Sequence, residues 1–528
     1  MTGTAKLIRL ILRRDRVLLP LWVIVLGVLP AGYASTFNGL FPTDADRIEY
    51  ARVGATNAGF VALYGPLDGS SLGALVAWRS GFLPVLIGLF AVLTVIRHTR
   101  ADEEAGRTEL IGAAVVGRQA QLAAALLTTG LAGVLLGVIA AAATTAQGLP
   151  PGGSIWFGAE LALSGLMFAG VAAVTAQLTS SARSARSIAI IVLAVAYVLR
   201  VAGDISAAAS WLSWLSPIGW VQHIFPYSGV NAWPVLLGGL FTLAATGLGV
   251  VLLGRRDFGA GLFPGRPGPA TAAPGLRSSL ALAWRLHRGL LAGWVAGFAA
   301  LGVVFGGVGE SVVDLVGDSG GLKDIFARLG GADVVLDSYF ASTAGIVGVI
   351  AAGYAVQATL RLRDEESAGH AEVLLGTAVT RLGWAGSHLI FSLLGPALAL
   401  AAEGLAAGLT YGLIAGDVGG QLPGILAAPL AQLPAVWVLA AVAVLLFGAL
   451  PRFAQLAWGA LAACLLLLLV GTTLQFDQWV LDVSPFTHVP HLPGGDLAWT
   501  PIVVLIAVAG LIAAAGLVSL RRRNIPVG

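Results

Sequence analysis

Two short acidic segments hold the residues of this sequence whose types and spacing could do chemistry. The first reads Asp102-Glu-Glu-Ala-Gly-Arg-Thr-Glu109-Leu and sets Glu103, Gly106 and Glu109 three apart. The second reads Glu365-Glu-Ser-Ala-Gly-His-Ala-Glu372-Val and sets Glu366, Gly369 and Glu372 in the same rhythm. Residues three apart share one face of a helix. Leu110 and Ile111, or Val373, Leu374 and Leu375, add an apolar patch beside the acids. The pattern predicts a short amphipathic helix under a membrane that offers carboxylates to a partner. A single such segment would be an ordinary solvated loop. Its recurrence, with acids kept in otherwise basic territory, favours a docking element.

Catalytic chemistry finds little support. A phosphate-binding loop needs Gly-x4-Gly-Lys-Ser/Thr. The only lysines, Lys6 and Lys323, follow Ala5 and Leu322, so neither fills that role. Nucleotide hydrolysis through such a loop on this chain is excluded. One cysteine, Cys464, rules out an internal disulfide. There is no zinc-ligand spacing and no nucleophile elbow, so neither a metal nor a cofactor is expected on the chain itself. Ionisable residues inside apolar runs are functional candidates. Glu160 and Glu403 are two, and either could meet a cationic substrate or pair with a neighbouring helix. Arg200 and Asp204 stand four apart and are expected to pair. His223 and His491 could titrate or bind metal, but read better as hydrogen-bonded structural residues.

The elements that position these residues are membrane spans. The hydrophobic fraction is 57% and the charged fraction 11%, with a mean hydropathy of +0.88. A soluble domain carries about 25% charge, so this chain must be solvated by lipid. Runs long enough to span begin near Val17, Gly81, Ala120, Ile155, Ser187 and Ala232. A second series begins near Gly289, Tyr339, Gly383, Ile425, Ala454 and Trp499. The fold expected is therefore an all-α membrane protein of about twelve transmembrane helices. With both termini cytoplasmic, most of the 30 basic residues fall in inner segments. These include Arg9, Arg13 and Arg16, then Arg97 to Arg118, Arg255 to Arg288, and Arg521 to Arg523. The outer loops are acidic, with Asp44, Asp46, Glu49, Asp314, Asp318, Asp333 and Asp337. The basic, apolar start resembles a signal peptide, but its layout returns at Leu276–Gly306, where no cleavage could serve.

The series repeats internally. Trp211-Leu-Ser-Trp-Leu-Ser-Pro217 through His223 aligns with Trp479-Val-Leu-Asp-Val-Ser-Pro485 through His491. Gly106 aligns with Gly369, Glu109 with Glu372 and Arg118 with Arg381. Arg255-Arg256-Asp257 matches Arg522-Arg523-Asn524. Six spans per half is an even number, so two tandem parallel halves are expected, residues 1–257 and 276–528. The Gly- and Pro-rich stretch Phe258–Gly275 reads as a flexible cytoplasmic linker. Thr4–Arg16 and Gly275–Arg288 read as basic amphipathic helices lying in the interface. The Trp-rich segments Trp211–Tyr227 and Trp479–Pro493 read as short helical hairpins capping the outer face.

Taken together, these features resemble the permeases of ABC exporters of the second type. They include the six-helix halves, the amphipathic leading helix, the Glu-Glu-x-Gly-Arg-x-Glu segment after the second helix, and the Trp-Leu-Ser-Pro segment before the sixth. The fused double length is similar to actinobacterial permeases of polyketide-antibiotic (tetronasin-like) or multidrug exporters. The resemblance implies an exporter of hydrophobic or amphiphilic compounds in the cell membrane. It further implies two copies of a soluble ATPase as partners, with ATP and Mg bound there, and no role for nucleic acid. It makes the acidic segments coupling helices through Glu103, Glu104, Gly106, Arg107 and Glu109, and through Glu366, Gly369 and Glu372. His370 replaces the arginine and Ser367 an acid, so the two need not couple equally. It also implies a substrate cavity lined by second and fifth helices, with Phe82, Phe90, Tyr197 and Tyr354 as candidates beside Glu160 and Glu403. A proton-coupled transporter of the 6+6 class is the alternative, although its short basic motif is missing from the acidic segment. A membrane-embedded enzyme would need more converging acids and histidines than Glu160 and Glu403 supply.

Overall fold

Apolar runs of this length must satisfy their backbone groups internally, and helices are how the chain does so. A computed structural model describes residues 2–56, 58–112, 115–205, 207–263, 270–318, 332–470 and 477–524. Lys323 and Arg266 lie outside these, as do the side chains of Leu110, Ile111, Asp314, Asp318 and Asp333. Among the described residues there is no strand. Eleven helices are long and apolar enough to cross a membrane. The twelfth run is a shorter apolar helix, Leu456–Val470. The chain divides into two compact units, Met1–Gly268 and Pro269–Gly528.

In the first unit, α1 (Thr4–Arg14) leads into α2 (Leu18–Leu40). Leu7 and Ile11 of α1 are buried against Ala120 and Ala124, while Arg9, Arg13 and Arg16 are exposed. The apolar face of this leading helix is thus spent largely on the protein, and only Leu10 and Leu12 remain exposed. Three short helices follow, α3 (Asp44–Thr56), α4 (Ala58–Tyr64) and α5 (Leu72–Arg79). The sequence pattern shows only an acidic loop there. Thr43 and Asp46 cap α3 reciprocally, through backbone N–H bonds of 3.1 and 3.2 Å. Then come α6 (Leu83–Arg97), α7 (Arg100–Glu104), α8 (Arg107–Gly112), α9 (Ala120–Ala146) and α10 (Pro151–Leu178). The unit closes with α11 (Ala182–Ile205), a 3-10 turn at Ala207–Leu215, α12 (Pro217–Gln222) and α13 (Trp233–Arg255).

The second unit holds α14 (Ser279–Asp318), α15 (Ala332–Ser367), α16 (His370–Leu375), α17 (Arg381–Ala415), α18 (Val418–Ala431) and α19 (Leu433–Ala449). It ends with α20 (Leu456–Val470), α21 (Gln478–Leu481) and α22 (Trp499–Arg522). Two expectations are corrected here. Gly275–Arg288 does not form a separate interfacial helix, because α14 runs unbroken from Ser279. In the first unit Asp15 interrupts the chain at this place by pairing with His98 and Arg97 at 2.6 and 3.1 Å. In the second, His287 stays helical, buried 3.0 Å from His388 and stacked on Phe391. The linker is also not free along its whole length. Leu262 and Phe263 donate their N–H groups to Gln177 and Leu178 at 2.9 Å, fixing its first residues to the end of α10.

Equivalent helices pack in both units. The first span meets the third (α2 with α9, α14 with α17), the second meets the fourth (α6 with α10, α15 with α19), and the fourth meets the sixth (α10 with α13, α19 with α22). Lipid offers no hydrophobic drive between helices, so small residues that allow close approach decide these contacts. At the crossing of α9 and α10, a Cβ on Gly137 or Gly158 would overlap the other's carbonyl oxygen. At the crossing of α19 and α22, a Cβ on Gly448 would overlap the carbonyl oxygen of Gly516, and one on Gly516 the backbone of Val444 and Leu445. Gly137→Leu is therefore expected to lower stability by about 2–3 kcal/mol, seen as an earlier thermal unfolding transition in detergent. Gly239→Ala, where nothing stands near the new carbon, should raise it by about 0.5 kcal/mol.

Candidate functional site

Each acidic segment folds as two helical pieces around a glycine. In the first unit α7 ends at Glu104, Gly106 takes φ +71°, and α8 departs from Arg107. In the second, α15 ends at Ser367, Gly369 takes φ +74°, and α16 departs from His370. The closing bonds match. Gly106 N–H donates to Glu103 C=O at 3.0 Å, and Gly369 N–H to Glu366 C=O at 3.1 Å. Nothing lies within 4 Å of where a Cβ would stand on either glycine. The left-handed backbone, not crowding, is what calls for glycine there. This corrects the expectation of one amphipathic helix: Glu103 and Glu109, like Glu366 and Glu372, lie on different helical pieces across an elbow.

Glu103 is engaged within its own unit. Its carboxylate takes both terminal nitrogens of Arg256 at 2.6 Å and the N–H of Gly259 at 2.7 Å, and lies 3.3 Å from Arg100. Arg118 donates in turn to the carbonyl of Arg256. The second unit repeats the arrangement. Glu366 takes Arg523 in a fork at 2.6 and 2.5 Å. Arg381 donates to the carbonyls of Arg521 and Arg523 at 3.2 and 2.7 Å. Side-chain exposure is 8% for Glu103 and 6% for Arg256, and 9% and 13% for Glu366 and Arg523. In both units a glutamate just before the elbow therefore clasps the arginine that follows or ends the last span. The recurring basic pairs Arg255-Arg256 and Arg522-Arg523 carried this signal in the sequence, but nothing there named their partner.

The remaining polar groups show where the two copies differ. Asp102 is buried and joins Arg14 and Arg107, each at 2.7 Å. Its counterpart Glu365 joins Arg361 at 2.7 Å and His370 at 3.1 Å. His370 thus keeps the position of Arg107 but donates as a cation only when protonated. Glu104 accepts the N–H of Ala182 at 2.8 Å and so caps the start of α11. Ser367, in the same place, donates to the carbonyl of Asp364 instead. Glu109 and Glu372 are exposed, with no ion pair to a described residue. Val373 is 75% exposed beside Glu372.

The cavity candidates are each placed within their own unit. Phe82 and Tyr197 meet edge to face at 5.8 Å. The Tyr197 hydroxyl donates to Ala62 C=O at 2.9 Å. Arg200, fully buried, donates to the carbonyls of Val61 and Ala62 at 2.8 Å. It sits 3.7 Å from Asp204 and so ties α11 to the end of α4. Phe90 packs in the core against Trp22 at 5.6 Å. Tyr354 is wholly buried against Trp294 and over Gly395. Glu403 is buried within α17, and Glu160 lines a small cavity elsewhere. His223 bonds Gly219 C=O at 2.7 Å and packs on Trp214, a structural role. Among the described residues no cluster of three or more His, Cys, Asp or Glu could hold a metal ion.

Removing one partner of a buried pair leaves the other charge stranded. Glu103→Ala and Arg256→Ala are each expected to cost about 3 kcal/mol. The double substitution should cost clearly less than their sum, as read by a double-mutant cycle of unfolding in detergent. Glu366 and Arg523 should behave alike, whereas Glu109→Ala should change stability by less than about 0.5 kcal/mol.

The arrangement has relatives. Residues 5–253 and 276–521 match the family described as "Multidrug efflux system permease Rv1217c, C-terminal domain". The "Multidrug efflux system permease protein Rv1217c" of Mycobacterium tuberculosis (strain ATCC 25618 / H37Rv) is 44% identical over 525 residues. That alignment covers 99% of this chain and 95% of the relative. Together with the apolar helices, this makes the chain a multi-pass protein of the cell membrane and a transport permease. It belongs to the Rv1217c family of multidrug efflux permeases.

Proposed function

We propose that the chain is the membrane subunit of an ATP-driven exporter that moves hydrophobic or amphiphilic compounds outwards, with both termini cytoplasmic. The observation that carries this reading is the repeated elbow. Each unit has the same left-handed glycine, the same Glu–Arg clasp behind it, and one exposed glutamate beyond it. A clasp of buried charge transmits a push on the elbow to the end of the sixth span, since a stiff pair moves as one body. Glu109 and Glu372 are the contacts left free for a docking ATPase, and Gly106 and Gly369 set the angle at which α8 and α16 meet it.

The energy source lies elsewhere, because neither lysine can cradle a phosphate. One chain supplies two elbows, so one chain with two ATPase copies is the complete unit. The two contacts are unequal. Arg107 holds Asp102 in the first unit, while an imidazole, His370, stands against Glu365 in the second.

The purified chain is expected to show no ATPase activity and to stimulate hydrolysis by a soluble ABC ATPase. Glu109→Lys and Glu372→Lys should each leave thermal unfolding unchanged and weaken ATPase binding by about tenfold through lost charge complementarity. Co-purification and stimulated hydrolysis measure both. Wild-type behaviour in both variants, or proton-driven transport without ATP, would contradict the reading.

A further inference from the structure

A second polar site lies in the first unit, away from the elbow. A cavity of about 30 Å³ is lined by Glu160 of α10, Gln222 of α12, Trp78 of α5, Tyr64, Tyr227 and Asp68. Glu160 is 4% exposed and forms no hydrogen bond with a described residue. Gln222 is 8% exposed. Its amide nitrogen donates to the carbonyls of Gly81 and Tyr64 at 2.6 and 3.3 Å, which fixes the orientation of the amide. Its Oε1 is left buried without a donor. Gly65, at φ +95°, makes room for that oxygen, because a Cβ there would stand 2.7 Å from it. Asp68 is exposed and marks the mouth.

The cavity's buried side-chain donors are engaged, and the Ser228 hydroxyl lies at the exposed rim. The Tyr64 hydroxyl is engaged by Arg79, which also lies over its ring at 4.4 Å. The Tyr227 hydroxyl is engaged by Ser154 at 3.0 Å. Trp78 Nε1 donates to Gly65 C=O at 2.9 Å. An unpartnered buried carboxyl calls for a donor, and a cationic one also answers its charge. Three aromatic rings beside it suit an ammonium, whose attraction to ring faces adds to its hydrogen bonds. A hard metal ion would want about six oxygens, more than these side chains offer. The cavity is small, with room for a headgroup rather than for a whole amphiphile. Beyond Tyr227 a larger cleft of about 370 Å³ is lined by Asn38, Arg47 and Gln147 as well as by Leu72, Leu149 and Pro150, and its apolar side has room for a tail.

We infer that the Glu160 cavity binds the protonated amine of an amphiphile, with Glu160 taking its N–H groups and Gln222, Trp78 and Tyr227 flanking it. The exposed Asp68 draws the cation to the mouth. This deepens the export reading by naming cationic amphiphiles as a substrate class, and it rests on that reading for its biological use. The binding itself needs no ATPase.

The test uses the full chain in lipid nanodiscs, titrated calorimetrically with octylammonium chloride and, in parallel, with octanol. Saturable octylammonium binding is expected. It should weaken about tenfold in Glu160→Gln, one carboxylate's worth of charge, and only about threefold in Glu160→Asp or Asp68→Asn. Octanol should be indifferent to all three. Equal octylammonium affinity in wild type and Glu160→Gln, or no saturable binding in wild type, overturns the inference. Should Glu160→Gln fail to fold, the exposed Asp68→Asn decides, and unchanged affinity there counts against the site. Failure of ATP-driven export with normal octylammonium binding would strike the export reading alone.

Discussion

A carboxylate that has left water must find a cation, and Glu103 finds Arg256. Much of the cytoplasmic end of the first unit follows from that pair. It brings the residue after the sixth span to the segment that follows the second. Gln177 bonds Arg256 at 2.8 Å, so the end of the fourth span is held as well. Arg100 reaches the carbonyls of Ala176 and Ala260 at 2.8 and 3.1 Å, closing the group from the other side. Exposed ion pairs contribute little to stability, but pairs this enclosed are costly to break. The second unit uses Glu366 and Arg523 for the same purpose and adds the ring of Phe447 at 4.9 Å from the guanidinium. A clasp of this kind leaves the elbow as the outermost structured part of the segment.

The two elbows share geometry and differ in chemistry. Glu104 ties the first elbow to the start of α11, and Ser367 offers the second no such tie. Arg107 and His370 occupy one position with cations of different permanence. The leading helices differ too, for α1 ends at Asp15 while α14 carries its counterpart His287 onward inside one long helix. The first elbow is thus tied to α11 through Glu104, and the second lacks that tie.

The helical membrane fold was legible because apolar runs of spanning length have few alternatives. The repeat was legible because glycine, glutamate and arginine recur in register. The elbow itself was not. Spacing three suits a continuous helix, and only the left-handed backbone at Gly106 and Gly369 shows that the helix stops. The glycine was visible in both copies, but a glycine inside a helical pattern has several readings. The partner of Glu103 was hidden for another reason: Arg256 lies 153 residues away, and sequence periodicity has no reach over that distance. The helices α3 to α5 were missed because each is too short to span; α3 is polar and is ordered by its Thr43–Asp46 cap, while α4 and α5 are short apolar pieces. The aromatic candidates Phe90 and Tyr354 rested on the family resemblance, and both side chains are buried within their units.

The central claim is that the elbows meet the ATPase while the clasps behind them do not. Site-specific photocrosslinking tests this most directly. A benzoylphenylalanine placed at Glu109, Glu372, Arg256 or Asp46 would be irradiated in membranes holding the chain and its ATPase. The account predicts ATPase adducts from positions 109 and 372 and none from 256 or 46. Adducts confined to one elbow, or absent from both while position 46 reacts, would contradict it.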